Sequence, residues 1–157
     1  MLLGKIKLYD IAKELNLTSK EVLELAKKLN IDAKSHLSAV DEADAVKISK
    51  SVICSSLLKA AMFGADAYWG RVLCAIGYSG AEVDVNKVDV SFESKAGRIA
   101  VCKNGAGIEF SEEIAKQVLT EKEITILIKL GDGDAEAEAY GCDLTYDYVK
   151  INGDYRT

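Results

Sequence analysis

The closing stretch of the chain, GCDLTYDYVKINGDYRT, crowds Asn152, Asp154, Arg156 and Thr157 into a few neighbouring positions. An amide, a hydroxyl and a guanidinium can together grip the carboxylate and amine of an amino acid, because each offers hydrogen-bonding groups of matching polarity. A second polar group lies in FGADAYWGR, where Asp66 and Arg71 flank Trp69, the only tryptophan, beside Gly64 and Gly70. Glycines of this kind let backbone pass close to a rigid neighbour. On residue types alone that segment reads first as a helix entry and second as a binding loop.

Other polar clusters carry less. In GDGDAEAE, Asp132, Asp134 and Glu136 alternate as calcium ligands would, but the loop has Ala137 and Asp143 where an EF-hand needs its glycine and its bidentate glutamate. A solvated hairpin is the better reading. The glycines of NGAG, Asn104 to Gly107, are not followed by the Lys-Ser or Lys-Thr of a phosphate loop. His36, the only histidine, has no nucleophile at a spacing that would make a pair. Cys54, Cys74, Cys102 and Cys142 are far apart without a C-x-x-C, so buried thiols are expected rather than zinc or disulfides. The residues imply no metal and no cofactor.

The elements that must position these groups follow from periodicity. Lys5 to Tyr9 alternates like a short strand, and Asp10 caps a short helix over Ile11, Ala12 and Leu15. Thr18-Ser19-Lys20-Glu21 has capping-box form and leads into Val22, Leu25, Ala26 and Leu29 at helical spacing. A further helix starts near Asp41 and runs to about Cys54. Trp69, Val72, Leu73 and Ile76 make one helical stripe. Val88, Val90 and Phe92 alternate as a strand, Lys95-Ala96-Gly97 turns the chain, and Ile99 and Val101 continue on the return strand. Ser111 caps a helix carrying Ile114, Ala115, Val118 and Leu119. Ile124, Ile126, Ile128 and Leu130 alternate, and Ala135, Ala137 and Ala139 form a second alternation after the GDGD turn. A last helix behind Asp143 puts Leu144, Tyr148 and Ile151 on one face. Two hairpins with helices and no βαβ alternation predict an α+β fold: a small helical N-terminal module, then a two-layer arrangement of sheet with helices on one face.

Composition narrows the class. With 49% apolar residues in 157, the chain can pack a core. Residues 1–50 hold nine lysines against eight acidic residues, and residues 51–157 hold eleven basic against seventeen acidic, a net −6. The acidic part is a poor match to DNA or RNA. Lys13, Lys20, Lys27, Lys28 and Lys34 offer a weak RNA-facing surface, but Glu14, Glu21 and Glu24 interleave them, so a solvated face is the first reading. No apolar run reaches the ~18 residues of a membrane span, and the start is too short for a signal peptide. A cytoplasmic protein is expected, with no membrane or DNA partner.

SSLLKAAMFGADAYWGR, GYSGAEVDVNKVDVSF and AYGCDLTYDYVKINGDYRT resemble the C-terminal part of the bifunctional ornithine acetyltransferase/N-acetylglutamate synthases of arginine biosynthesis, over residues 47–157. The resemblance implies acetyl transfer from N-acetylornithine to glutamate by double displacement, some members also using acetyl-CoA. It further implies self-cleavage at an Ala-Thr bond, which frees a threonine that is nucleophile and base at once. Thr18, Thr120, Thr125, Thr145 and Thr157 follow Leu, Leu, Ile, Leu and Arg, so none fits that pattern, and no catalytic residue is assigned. The family's oxyanion-hole threonines and its Gly-Glu-Gly-Ala-Thr-Lys stretch have no counterpart either. The family's final substrate contacts fall on Asn152 and Thr157, while Asp66, Trp69 and Arg71 go to local structure; Tyr68 stands where the family commonly has Asn. The isolated chain is expected to be inert, unless a separately encoded N-terminal portion completes the pocket.

KIKLYDIAKELNLTSKEVLELAKKLNIDAKSHLSAVDEADAVKI is similar to the N-terminal module of bacterial translation initiation factor two, which implies ribosome or RNA contact through residues 1–46. The two resemblances meet inside one helical pattern near residues 44–50 with no linker. That junction reads as a truncated enzyme joined to a foreign start.

Overall fold

The computed structural model describes residues 16–28, 40, 42–131 and 133–155. The chain divides into two compact units, Met1–Ala39 and Val40–Thr157. In the first, helix α1 (Ser19–Lys28) starts as the capping box requires. The Thr18 hydroxyl accepts from the Glu21 amide at 3.3 Å, and the Glu21 carboxylate accepts from the Thr18 amide and hydroxyl at 2.7 Å each. Val22 on this helix is buried. The expected strand at Lys5–Tyr9, the helix behind Asp10, and His36 lie outside the described residues.

The second unit opens with α2 (Glu42–Cys54), which buries Ala45, Ile48 and Val52 at helical spacing. Asp44 is also buried there, and its carboxylate meets the Lys47 ammonium at 2.8 Å. The chain then breaks helix for one residue. Ser55 adopts an extended backbone, its hydroxyl accepts from the Leu58 amide, and α3 (Ser56–Phe63) begins, ending at Gly64. Helix α4 (Trp69–Gly77) buries Val72, Ala75 and Ile76, close to the stripe legible in the sequence. Two hydrogen bonds tie the three helices together: Ser51 hydroxyl to Ala75 carbonyl at 2.6 Å, and Arg71 guanidinium to Leu57 carbonyl at 2.7 Å.

A 3₁₀ turn (Val85–Lys87), capped by Asp84, leads into strand β1 (Asp89–Ser94). β1 pairs antiparallel with β2 (Gly97–Lys103) through a two-residue turn with Ser94 opposite Gly97, as expected. NGAG is a second tight turn rather than a loop before the next helix. Asn104 and Gly105 both have positive φ, 50° and 73°, the conformation of a primed hairpin turn, and β3 (Ala106–Gly107) pairs back onto β2. Helix α5 (Glu112–Leu119) is capped by Ser111 as read, and β4 (Thr125–Lys129) runs antiparallel to β1 on its other side. The sheet order is β3-β2-β1-β4. Val90, Phe92, Ile99 and Val101 form the buried floor, with Ala115, Val118 and Leu119 of α5 in the same core and α5 packed on β1 and β2.

This is the expected α+β arrangement, with two further corrections. Residues 135–140 form no strand, so the expected hairpin with β4 is absent. The alternating alanines have weak strand preference and little side chain to pack, whereas β1 offers β4 the cross-strand pairs Val90 with Ile128 and Phe92 with Ile126. The last helix, α6 (Tyr146–Asp154), is capped by Thr145 rather than Asp143; the Thr145 hydroxyl accepts from the Tyr148 amide at 3.0 Å.

Candidate functional site

The final helix carries the residue that the sequence singled out. Asn152 sits on the last turn of α6, exposed to solvent, and its side-chain amide donates to the Tyr148 carbonyl at 2.8 Å. One N–H and the carbonyl oxygen of that side chain remain available to a ligand. Thr157 and Arg156 lie outside the described residues. α6 buries nothing: Tyr148, Val149 and Ile151 are all exposed, so of the expected face of Leu144, Tyr148 and Ile151 only Leu144, ahead of the helix, is half-buried.

The root of the tail is anchored. The Leu144 amide donates to the Lys59 carbonyl at 3.3 Å, and the rings of Phe63 and Tyr146 meet edge to face, 5.1 Å between centroids. Between β4 and this anchor, residues 133–143 cross a groove of about 1470 Å³. One wall is β4 with Ile126 and Ile128, and the other is α2 and α3 with Ile48, Val52 and Met62. Acidic side chains of the crossing segment, Asp134, Glu136, Glu138 and Asp143, stand at its margin with Lys59, Lys122 and Lys129. The Ile124–Leu130 alternation gave the strand that walls this groove but not the groove itself.

FGADAYWGR resolves into local structure. Arg71 holds α3 to α4 and lies over the Tyr68 ring at 5.9 Å, while Asp66 is exposed with its amide bonded to the Ala61 carbonyl. The close backbone approach expected near Trp69 does occur, but the glycine is Gly107: a Cβ there would lie 2.7 Å from the indole.

The cysteines depart from the expected burial. Cys102 alone is buried; Cys54, Cys74 and Cys142 are exposed, at a helix end, on the outer side of α4, and in the crossing segment. Burial pushes the Cys102 thiol above its ordinary range, and the Asp89 carboxylate adds to the rise. No group of three or more metal-ligating side chains occurs among the described residues, and no helix among them is long and apolar enough to cross a membrane.

Comparison with known proteins gives these observations a family context. The family model described as "ArgJ family" matches residues 24–157. The chain is 51% identical over 121 residues to the arginine biosynthesis bifunctional protein ArgJ of Caldanaerobacter subterraneus subsp. tengcongensis, covering 77% of this chain and 30% of that protein. It is 47% identical over 118 residues to the glutamate N-acetyltransferase of Methanothermobacter thermautotrophicus, covering 73% and 29%. The crystal structure of the arginine biosynthesis bifunctional protein argJ from Bacillus halodurans superposes with a TM-score of 0.68 at 34% identity, over 99% of this chain and 74% of that one. The chain thus spans about 30% of the length of the curated relatives it matches.

Proposed function

The chain belongs to the ArgJ family, and from that membership we propose that it is the substrate-holding C-terminal portion of a glutamate N-acetyltransferase, the enzyme that moves an acetyl group from N-acetylornithine to glutamate in arginine biosynthesis. The observation that carries this reading is the half-identical match to proteins named for that pathway and activity. In this reading Asn152 and Thr157 grip the amino-acid part of the substrate. What supports the role of Asn152 is its exposure together with hydrogen-bonding capacity to spare.

The covalent step is another matter. Double displacement needs an activated nucleophile, and no threonine of this sequence follows an alanine. Positioning contacts alone supply no acyl acceptor, so the chain by itself binds substrate weakly and turns none over. The test is incubation of purified chain with N-acetylornithine and glutamate, followed by intact-mass analysis. No N-acetylglutamate and no acetyl adduct are expected; either product overturns this reading. Transfer returns when a polypeptide bearing the Ala-Thr junction is co-produced with the chain.

A second reading concerns residues 1–46 as a ribosome-contacting module. Its support is the division of the chain at Ala39/Val40, and against it the ArgJ family match already takes in residues 24–46. Salt-sensitive co-sedimentation with ribosomes, abolished by deleting residues 1–44, is the result it requires.

A further inference from the structure

The sheet has a second face, turned away from its core. Val90, Phe92, Ile99 and Val101 point into the core, so alternation along the strands sends Ser91 of β1, Arg98 of β2 and Lys129 of β4 to the opposite side. A hollow of about 230 Å³ opens there, and the charged residues that line it are Asp89, Arg98, Lys103 and Lys129. Ser91 forms part of its floor. That residue is only 8% exposed, and its hydroxyl has no hydrogen-bond partner among the described residues. A hydroxyl withdrawn from water without a partner is destabilising, so such a group marks a place where a partner is missing. Among the described residues no buried side-chain oxygen or nitrogen is sealed off unpaired, so the Ser91 oxygen keeps an opening, and the hollow is what it opens to. β1 and β2 also slip register between Val90 and Ser91, an irregularity of the kind that re-aims side chains beside sites.

We propose that this hollow binds a small oxyanion of the phosphate class, with the Ser91 hydroxyl donating to it and Arg98, Lys103 and Lys129 supplying the positive charge. Residues 51–157 carry a net −6, so three cations gathered around one unpaired hydroxyl run against their surroundings. Their charge is also uncommitted. Lys103 and Lys129 have no ion-pair partner among the described residues, and Arg98 keeps only a long, half-exposed contact with Glu93 at 3.8 Å. The one acid at the rim, Asp89, is engaged by the Asn104 amide at 2.8 Å. A guanidinium offers parallel N–H groups and an ammonium a compact charge, and phosphate oxygens accept from both. Three cations against one carboxylate favour a ligand with more than a single negative charge. Size narrows the class further: the hollow is smaller than the ~300–1,000 Å³ of ordinary small-molecule sites, which fits a phosphate group rather than a nucleotide. Asn152 is not among the lining residues, so this site goes beyond the acetyl-transfer reading.

The experiment titrates the full chain with inorganic phosphate, glycerol 3-phosphate and succinate, each against sodium chloride at equal ionic strength, and follows the backbone amides by NMR. The expected result is saturable shifts at Ser91, Arg98, Lys103 and Lys129 with a midpoint of about 1 mM or lower for a phosphate probe. Ser91→Ala should weaken that midpoint at least about fivefold, the loss of a hydrogen bond to a charged group. Lys129→Gln should weaken it at least about threefold, both variants matching the parent in circular dichroism. If Ser91→Ala does not fold, Lys129→Gln carries the comparison alone. Tighter binding of inorganic phosphate names the free ion as ligand, and tighter binding of glycerol 3-phosphate names a phosphorylated metabolite; both support the site. Shifts no larger than those in chloride overturn it, since they report screening alone. So does an unchanged midpoint in a folded Ser91→Ala variant. Succinate binding as tightly as phosphate also overturns it, reassigning the hollow to dicarboxylates.

Discussion

Gly107 lies flat against the Trp69 indole, so close that a Cβ would come within 2.7 Å of three ring atoms. This contact joins the short strand β3 to the start of α4 and gives the only tryptophan a fixed surface. Gly107→Ala must displace the ring or the strand, and overpacking of that kind costs about 1–3 kcal/mol. Urea unfolding followed by tryptophan fluorescence should show the loss together with a shifted native emission maximum.

Core and tail should respond very differently to truncation. Phe92 is fully buried between the sheet and its covering helices, so Phe92→Ala should destabilise by about 3–5 kcal/mol. Ile151→Ala, on the uncovered face of α6, should fall within about 0.5 kcal/mol of the parent. Chemical denaturation of both variants decides it; a large loss at Ile151 would mean that α6 is covered in solution.

Thiol reactivity should divide three to one. Cys54, Cys74 and Cys142 are exposed, whereas Cys102 is buried, with its thiol held protonated by burial and by Asp89. Timed alkylation and peptide mass mapping at neutral pH should label the first three promptly and Cys102 only on unfolding.

The start of α1 should be acid-sensitive. The Thr18 hydroxyl, then its amide, hold the Glu21 carboxyl below the ordinary carboxylate range. Because the folded value is the lower one, the stabilisation is complete above the unfolded pKa near about 4.3 and is lost as pH falls through the folded value. Carbon-detected titration of Glu21 should show the depressed midpoint, and Thr18→Ala should restore an ordinary one.

Asn152→Ala tests the site assignment. Asn152 is exposed and its one hydrogen bond stays within its own helix, so the melting temperature should not move. In the co-produced complex the variant should raise KM about tenfold or more, the loss of a hydrogen bond to a charged ligand group. An unchanged KM removes Asn152 from the site.

The parts of the fold that local chemistry dictates were legible in the sequence. Ser111, the Thr18–Glu21 box and the alternation of Val90 and Phe92 each specify their own element, and each appears where expected. The Ala135–Ala139 alternation did not become a strand, because period alone says nothing about whether a partner has side chains to pack against. Asn152 drew attention through residue type and family resemblance, yet the groove beside β4 did not. A groove is made by elements distant in sequence, here α2, α3 and β4, and no window of residues reports their separation. Cys54 and Cys74 misled for a related reason: cysteine is usually inside, but which side of a helix faces inward depends on the neighbouring helices.

The path from β4 to α6 has a practical consequence. Between Gly133 and Tyr140 the backbone is irregular and most side chains are exposed, so a protease can sever the polypeptide there without melting the sheet. Among the described residues, the released piece is then held by the Leu144–Lys59 bond, the Phe63–Tyr146 ring contact and the close approach of Gly141 to Ile53. A single nick would turn the carrier of Asn152 into a detachable peptide.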